Sequence, residues 1–233
     1  METYLDYSLQ DLLLFSDDVY FRSLILYNAK LWPAQILSLL TGLFLLWVCV
    51  KQPHHTAYLI GTVLALAWAI CGTLFHLYHF QEINWLATIY GWMFILQGAL
   101  IMLWCLYQPE KFEPFNGSTD HPWTKWAFFG NLLILIAVCG FPFLTLLDGH
   151  PLKGGHLFAL FPAPTILATL GVAFSLRKLP LILLIIPLIY TIIGFLTADL
   201  LGSKMNYIYL MVMGMLTLYL IIRITTNHEN KSR

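Results

Sequence analysis

Apolar residues fall into seven long runs along this chain, at 33–50, 57–80, 85–107, 123–147, 156–176, 180–201 and 205–225. About 20 such residues cross a bilayer as a helix. In hydrocarbon every backbone N–H and C=O must be paired, and over runs this long only helices achieve that within one segment. The pattern therefore predicts an all-α integral membrane protein, one membrane domain over 1–233 with a bundle of seven transmembrane helices. The connections are short. The longest, QPEKFEPFNGSTDHP (108–122), is polar and rich in turn residues. No internal repeat is visible.

Ahead of the first run lies SDDVYFRSLILYNAKLW. Ser16 suits an N-cap, and Asp17 and Asp18 oppose the positive end of the helix dipole. Phe21, Leu24, Ile25, Leu31 and Trp32 recur at helical spacing, with Arg22, Asn28 and Lys30 largely on other faces. This predicts an amphipathic helix, or two within 8–31, lying in the membrane interface with aromatic anchors. Leu9, Leu12 and Leu13 could begin the first of them. Pro33 fits the first turn of the next helix, where a missing N–H costs nothing. The opening METYLDYSLQD is acidic, without the basic n-region of a cleaved leader.

Composition strengthens the membrane reading. The chain is 59% hydrophobic and 10% charged, with a mean hydropathy of +0.75. Ordinary soluble domains are about 45–50% apolar and about 25% charged. Twelve Lys and Arg balance twelve Asp and Glu, so no nucleic-acid partner is expected. The expected surroundings are the lipid bilayer, with a membrane-protein partner or a second copy as further possibilities. Cys49, Cys71, Cys105 and Cys139 all lie in apolar runs without a CxxC pair, and read as small packing residues.

Positive charge in the short loops sets the orientation. With seven crossings, Lys51, Lys111, Lys125, Arg177, Lys178, Arg223, Lys231 and Arg233 share one side, and Arg22, Lys30, Lys153 and Lys204 the other. Eight against four puts the C-terminus in the cytoplasm and the N-terminus outside.

The stretch LLLFSDDVYFRSLILYNAKLWPAQ resembles the start of an uncharacterised family of bacterial multi-pass membrane proteins, a domain of unknown function. The resemblance rests on Phe15-Ser16, Tyr27-Asn28 and Trp32-Pro33-x-Gln35. It continues through Ile83-Asn84 and Gln97, and through Pro162, Pro164, Thr165 and Gly171, with Ala163 where a Cys is expected. It implies the bacterial inner membrane as the location and implies no reaction.

Candidate chemistry gathers at the outward end. His76 lies about 8 residues from the middle of the second run, roughly 12 Å at about 1.5 Å per residue. His79 is one turn further, on the same helix face. Asp148, His150, His156 and Asp199 fall at the same level. Pro142, Pro162 and Pro164 interrupt helices just beneath it, and Pro187 interrupts the sixth run. Broken membrane helices survive where freed carbonyls meet neighbours or line a wet cavity, as in transporters. These residues, with Thr165, predict an outward-facing polar vestibule bounded by the second, fourth, fifth and sixth runs. A metal or haem held by His76, His79, His156 and Asp199 is the alternative. No HExxH or other compact metal signature supports it.

Deeper in the membrane stand Gln97 and Asn131, read as helix-to-helix hydrogen-bonding groups, with Gln97 also a candidate for the vestibule. No Asp, Glu, Lys or Arg lies deep in a run, which argues against a proton-driven pump. Gly61, Ala65, Ala69 and Thr73 form a small-residue packing stripe. The Met211/Met215 pair reads as gap-filling. The sequence thus predicts a non-enzymatic role, either binding or passage of a small solute or service as a membrane subunit. A metal- or haem-dependent enzyme is the runner-up.

Overall fold

The computed structural model describes residues 15–114, 122–176 and 179–229. Leu9, Leu12, Leu13, Arg177, Lys178, Lys231, Arg233 and half of the polar loop lie outside them. Among the described residues there is no strand, only an isolated bridge between Pro114 and Leu176. Eight helices follow in order: α1 Asp17–Lys30, α2 Ala34–Lys51, α3 Thr56–Ile70, α4 Ala87–Tyr107, α5 Pro122–Leu135, α6 Pro162–Ser175, α7 Ile185–Leu200 and α8 Met205–Glu229. Two of them run on in altered pitch. Helix α3 widens into π turns over Cys71–His79 and ends in a tight 3-10 turn, Phe80–Glu82. Helix α5 widens over Ile136–Gly140 and tightens over Phe141–Asp148.

Among the described residues five helical stretches are long and apolar enough to cross a membrane: Ala34–Lys51, Thr56–Glu82, Ala87–Tyr107, Thr124–Asp148 and Leu181–Leu200. They match five of the seven predicted runs. Two shorter apolar stretches stand among the described residues, Pro162–Ser175 and, within α8, Tyr207–Tyr219. Exposed apolar side chains such as Leu37, Leu66, Trp92 and Phe128 cover the outside of the bundle. That is the inverse of a water-soluble surface.

The fifth run departs most from expectation. It was predicted to be helical from 156, but helix α6 begins at Pro162. Phe161 is extended, and prolines at 162 and 164 bring no N–H, so they are tolerated only in a first turn. The 14 residues of α6 reach about 21 Å at about 1.5 Å each, short of a hydrocarbon core of about 30 Å. All 14 are buried, which makes α6 the central post of the bundle. Residues 149–161 complete its path as irregular backbone.

Small residues let the helices approach. A Cβ added at Gly130 of α5 would lie 2.3 Å from the Gly171 carbonyl oxygen of α6, and one at Gly171 would lie 2.6 Å from that of Gly130. On α3 the predicted stripe does the same work against α4. A Cβ at Gly98 would lie 2.6 Å from the Ala65 oxygen, and one at Gly61 would lie 2.3 Å from Cys105 Sγ. Cys49, Cys71 and Cys105 are buried free thiols, and Cys139 is half-buried.

Helix α1 is capped as predicted, with the Val19 N–H donating to Ser16 Oγ at 3.4 Å. Part of its apolar face packs onto the protein. Phe21, Leu24 and Tyr27 are buried against the bundle, joined there by Asn28, while Trp32 is 65% exposed. The helix covers one end of the protein.

Candidate functional site

The end that α1 covers is where the ends of α3, α5 and α7 meet the starts of α6 and α8. Residues 149–161 run through it with one short 3-10 turn, Leu152–Gly154, and several of their backbone groups, the carbonyls of Lys153, Gly155, Phe158 and Leu160 among them, are met by side chains. Asn28 Nδ2 donates to the carbonyls of Lys153 and Gly155 at 2.8 and 2.9 Å. Tyr27 donates to Leu160 O at 3.1 Å, and Ser38 Oγ donates to Phe158 O. Thr165 Oγ1 donates to Phe161 O at 2.7 Å and accepts from the Ala159 N–H at 3.0 Å. That second bond holds Ala159 at φ 62°, a left-handed conformation uncommon outside glycine.

These bonds let irregular chain pack against the bundle: protein groups replace the missing ladder. Phe158 and Leu160 precede Pro162 and Pro164 by four residues. Their carbonyls are the ones those prolines could never have served.

Beneath α1 lies a narrow cavity of about 40 Å³, room for about three waters. Its walls are mostly aromatic: Tyr20 and Phe21 from α1, Phe75 and Phe80 beyond α3, Tyr90, Phe161, Tyr190 and Tyr209. Thr145, His156, Pro162, Thr197 and Ser203 also line it. The ring of Tyr209 is seated on Gly194, where a Cβ would lie 2.4 Å from it.

His156 is 6% exposed, and neither ring nitrogen has a hydrogen-bond partner. Its ring lies parallel to Phe161 at 4.7 Å and to Phe141 at 6.2 Å. An imidazole always carries both a donor and an acceptor, or two donors. Leaving such groups unpaired in apolar surroundings costs about 1–3 kcal/mol each. His76 is in the same position next to the cavity wall. It is fully buried with both nitrogens unpartnered, and its ring meets Phe94, Tyr190 and Tyr90 at 4.8, 5.3 and 5.9 Å.

The remaining predicted residues have other occupations. His79 Nε2 is 2.8 Å from Ser23 Oγ, and its ring stacks on Tyr27, tying α3 to α1. His150 stacks on Phe21 at 3.4 Å and approaches Asp17 at 3.8 Å. Burial lifts the Asp17 carboxyl above its ordinary range, against the pull of His150. Asp148 accepts from Ser203 Oγ and from the Lys204 N–H, both at 2.6 Å, joining the end of α5 to the turn before α8. Asp199 is exposed near the end of α7. Pro162 lines the cavity, while Pro164 and Thr165 are buried in the first turn of α6. Gln97 is buried on α4 and donates to Leu183 O at 2.7 Å, away from the cavity.

For the alternative reading, no group of three or more His, Cys, Asp and Glu able to hold a metal ion occurs among the described residues. His76, His79, His156 and Asp199 do not form one. The cavity residues that the histidine-and-carboxylate pattern misses are the tyrosines. Their signal was present: Tyr90 and Tyr190 carry hydroxyls inside apolar runs, where a polar tip needs a reason.

Residues 17–232 match the model of a family described as a family of unknown function (DUF6064), and the chain belongs to that family. The match agrees with the resemblance to an uncharacterised family of unknown function. No curated protein and no solved structure matches the chain.

Proposed function

Starting from membership in a family whose description carries no function, we propose that this is a seven-span protein of the bacterial inner membrane. Its N-terminus is outside and its C-terminus cytoplasmic. It holds a small neutral solute in the aromatic chamber under α1. One observation supports the binding role above all: His156 lines the chamber with both ring nitrogens unpartnered. Buried polar atoms without a partner call for one, and of the two such histidines His156 is the one that lines the chamber. A solute that accepts from one nitrogen and donates to the other would satisfy both.

The chamber selects by size and by charge. Its volume admits about three water-sized groups, and no Lys, Arg, Asp or Glu lines it. Beyond it, Trp68 and Phe94 are fully buried and close the bundle. This favours binding over open passage, with passage requiring the aromatic floor to part. A scaffold role for α1 and its outer face is compatible with the same chamber.

Titration calorimetry of the purified protein against acetamide, ethanol and formamide tests the reading. Binding of at least one of them by the natural protein, lost in His156→Phe, is the expected result. A panel in which no member binds, or binds equally to both proteins, would defeat the assignment.

A further inference from the structure

A second concavity lies on the other flank of α1, between that helix and residues 149–161. It is open, with a volume of about 480 Å³. Its polar members are Asn28, Gln35, Trp32 and Lys153, and Ile25, Leu152 and Leu157 are among its apolar ones. Asn28 is 5% exposed, and its Oδ1 has no hydrogen-bond partner.

The orientation of that amide is fixed by its neighbours. Both protons of Nδ2 are spent on the carbonyls of Lys153 and Gly155. Exchanging the nitrogen and oxygen would set an oxygen against two oxygens, so Oδ1 must be the unpaired atom. It is an acceptor without a donor. Gln35 gives one of its two Nε2 protons to Asn28 O at 2.8 Å. Lys153 and Trp32 are exposed at the rim, Trp32 by 65%.

We propose that this groove holds the head group of a phospholipid bearing an N–H or O–H donor beyond its phosphate, of ethanolamine or glycerol type. The donor of the head group meets Asn28 Oδ1, and its phosphate meets the Lys153 ammonium. The upper acyl chain lies along Ile25, Leu152 and Leu157. Taking the bilayer placement proposed above, α1 and Trp32 stand at head-group depth, where Trp is commonly found. Choline lacks the required donor, so the groove discriminates between lipids that share a phosphate.

Native mass spectrometry of the full chain tests this, with phosphatidylethanolamine, phosphatidylglycerol and phosphatidylcholine of identical acyl chains titrated into delipidated protein. Retention of the first two about tenfold more tightly than the third is expected, the effect of one hydrogen bond to a buried acceptor. Because Asn28 also holds the irregular segment, the variant of choice is Lys153→Gln, which keeps the backbone carbonyl that Asn28 uses. It should weaken all three lipids several-fold and leave their ranking intact. Equal retention of choline and ethanolamine lipids, or no effect of Lys153→Gln, would overturn the proposal. Binding of glycerophosphoethanolamine, which lacks acyl chains, as tightly as the diacyl lipid would assign the groove to a free phosphate ester and overturn it too.

Discussion

Gln97 and Pro187 meet over one carbonyl. Pro187 has no N–H to give to Leu183 O, four residues before it, and Gln97 Nε2 donates to that oxygen instead at 2.7 Å. Pro187 stands in the first turn of α7, after the 3-10 turn Leu181–Leu184, and the carbonyl left free there is met from α4. This pairing makes a prediction specific to the two residues. Gln97→Leu should cost about 1–3 kcal/mol by orphaning a buried carbonyl. In a Pro187→Ala background the new N–H can reach Leu183 O, and Gln97→Leu should then cost markedly less. A double-mutant cycle in reversible detergent unfolding measures the coupling, expected at about 0.5–1.5 kcal/mol.

Tyr27 crosses from α1 to Leu160 O at 3.1 Å. Tyr27→Phe keeps the ring against His79 and Phe161 and deletes only the donor. It should lower stability by about 1 kcal/mol. It should also raise hydrogen exchange in 149–161 before the rest of the protein, read by mass spectrometry.

Gly171 of α6 and Gly130 of α5 touch backbone to backbone. Gly171→Ala would place its Cβ 2.6 Å from the Gly130 oxygen, and backbone cannot yield as a side chain can. A loss of about 1–3 kcal/mol follows, seen as a lowered unfolding midpoint. Gly214→Ala, where nothing lies within 4 Å of the new carbon, should match or exceed the natural protein.

Much of this architecture could be read from residue order, and the failures have physical causes. Run length located the five long helices, because hydropathy and backbone pairing in lipid act on the same residues. Proline positions showed that the fifth and sixth runs are interrupted. They did not show that α6 would begin at Pro162, since a proline inside a run and one at N1 look identical until the preceding chain is seen to be extended. The small-residue stripe on α3 was legible because spacing alone puts it on one face. The role of Tyr27, Asn28 and Ser38 was not, because their partners lie 133, 125 and 120 residues away. The same holds for the histidines. Spacing grouped His76, His79, His150 and His156 by depth, whereas their surroundings divide them. His79 is bonded to Ser23, His150 rests on Phe21, and His76 and His156 are enclosed by aromatic rings without a partner.

That division yields a prediction about His156 that separates stability from function. His156→Phe exchanges two unpaired nitrogens for carbon within a stack that already suits a six-membered ring. The variant should be at least as stable as the natural protein, by up to about 1 kcal/mol in detergent unfolding. It should lose solute binding entirely. A destabilised variant would mean that the imidazole is held by partners it does not have here.

The central claim is a chamber that opens to the outside of the cell beneath α1. Thr197 lines it and is half-buried. The most direct measurement is modification of Thr197→Cys, in a background freed of the four native cysteines, by a membrane-impermeant thiol reagent applied to spheroplasts. The account predicts labelling from the external side, slowed by a solute that binds the chamber. Labelling only after the membrane is opened, or complete protection in both conditions, would contradict it.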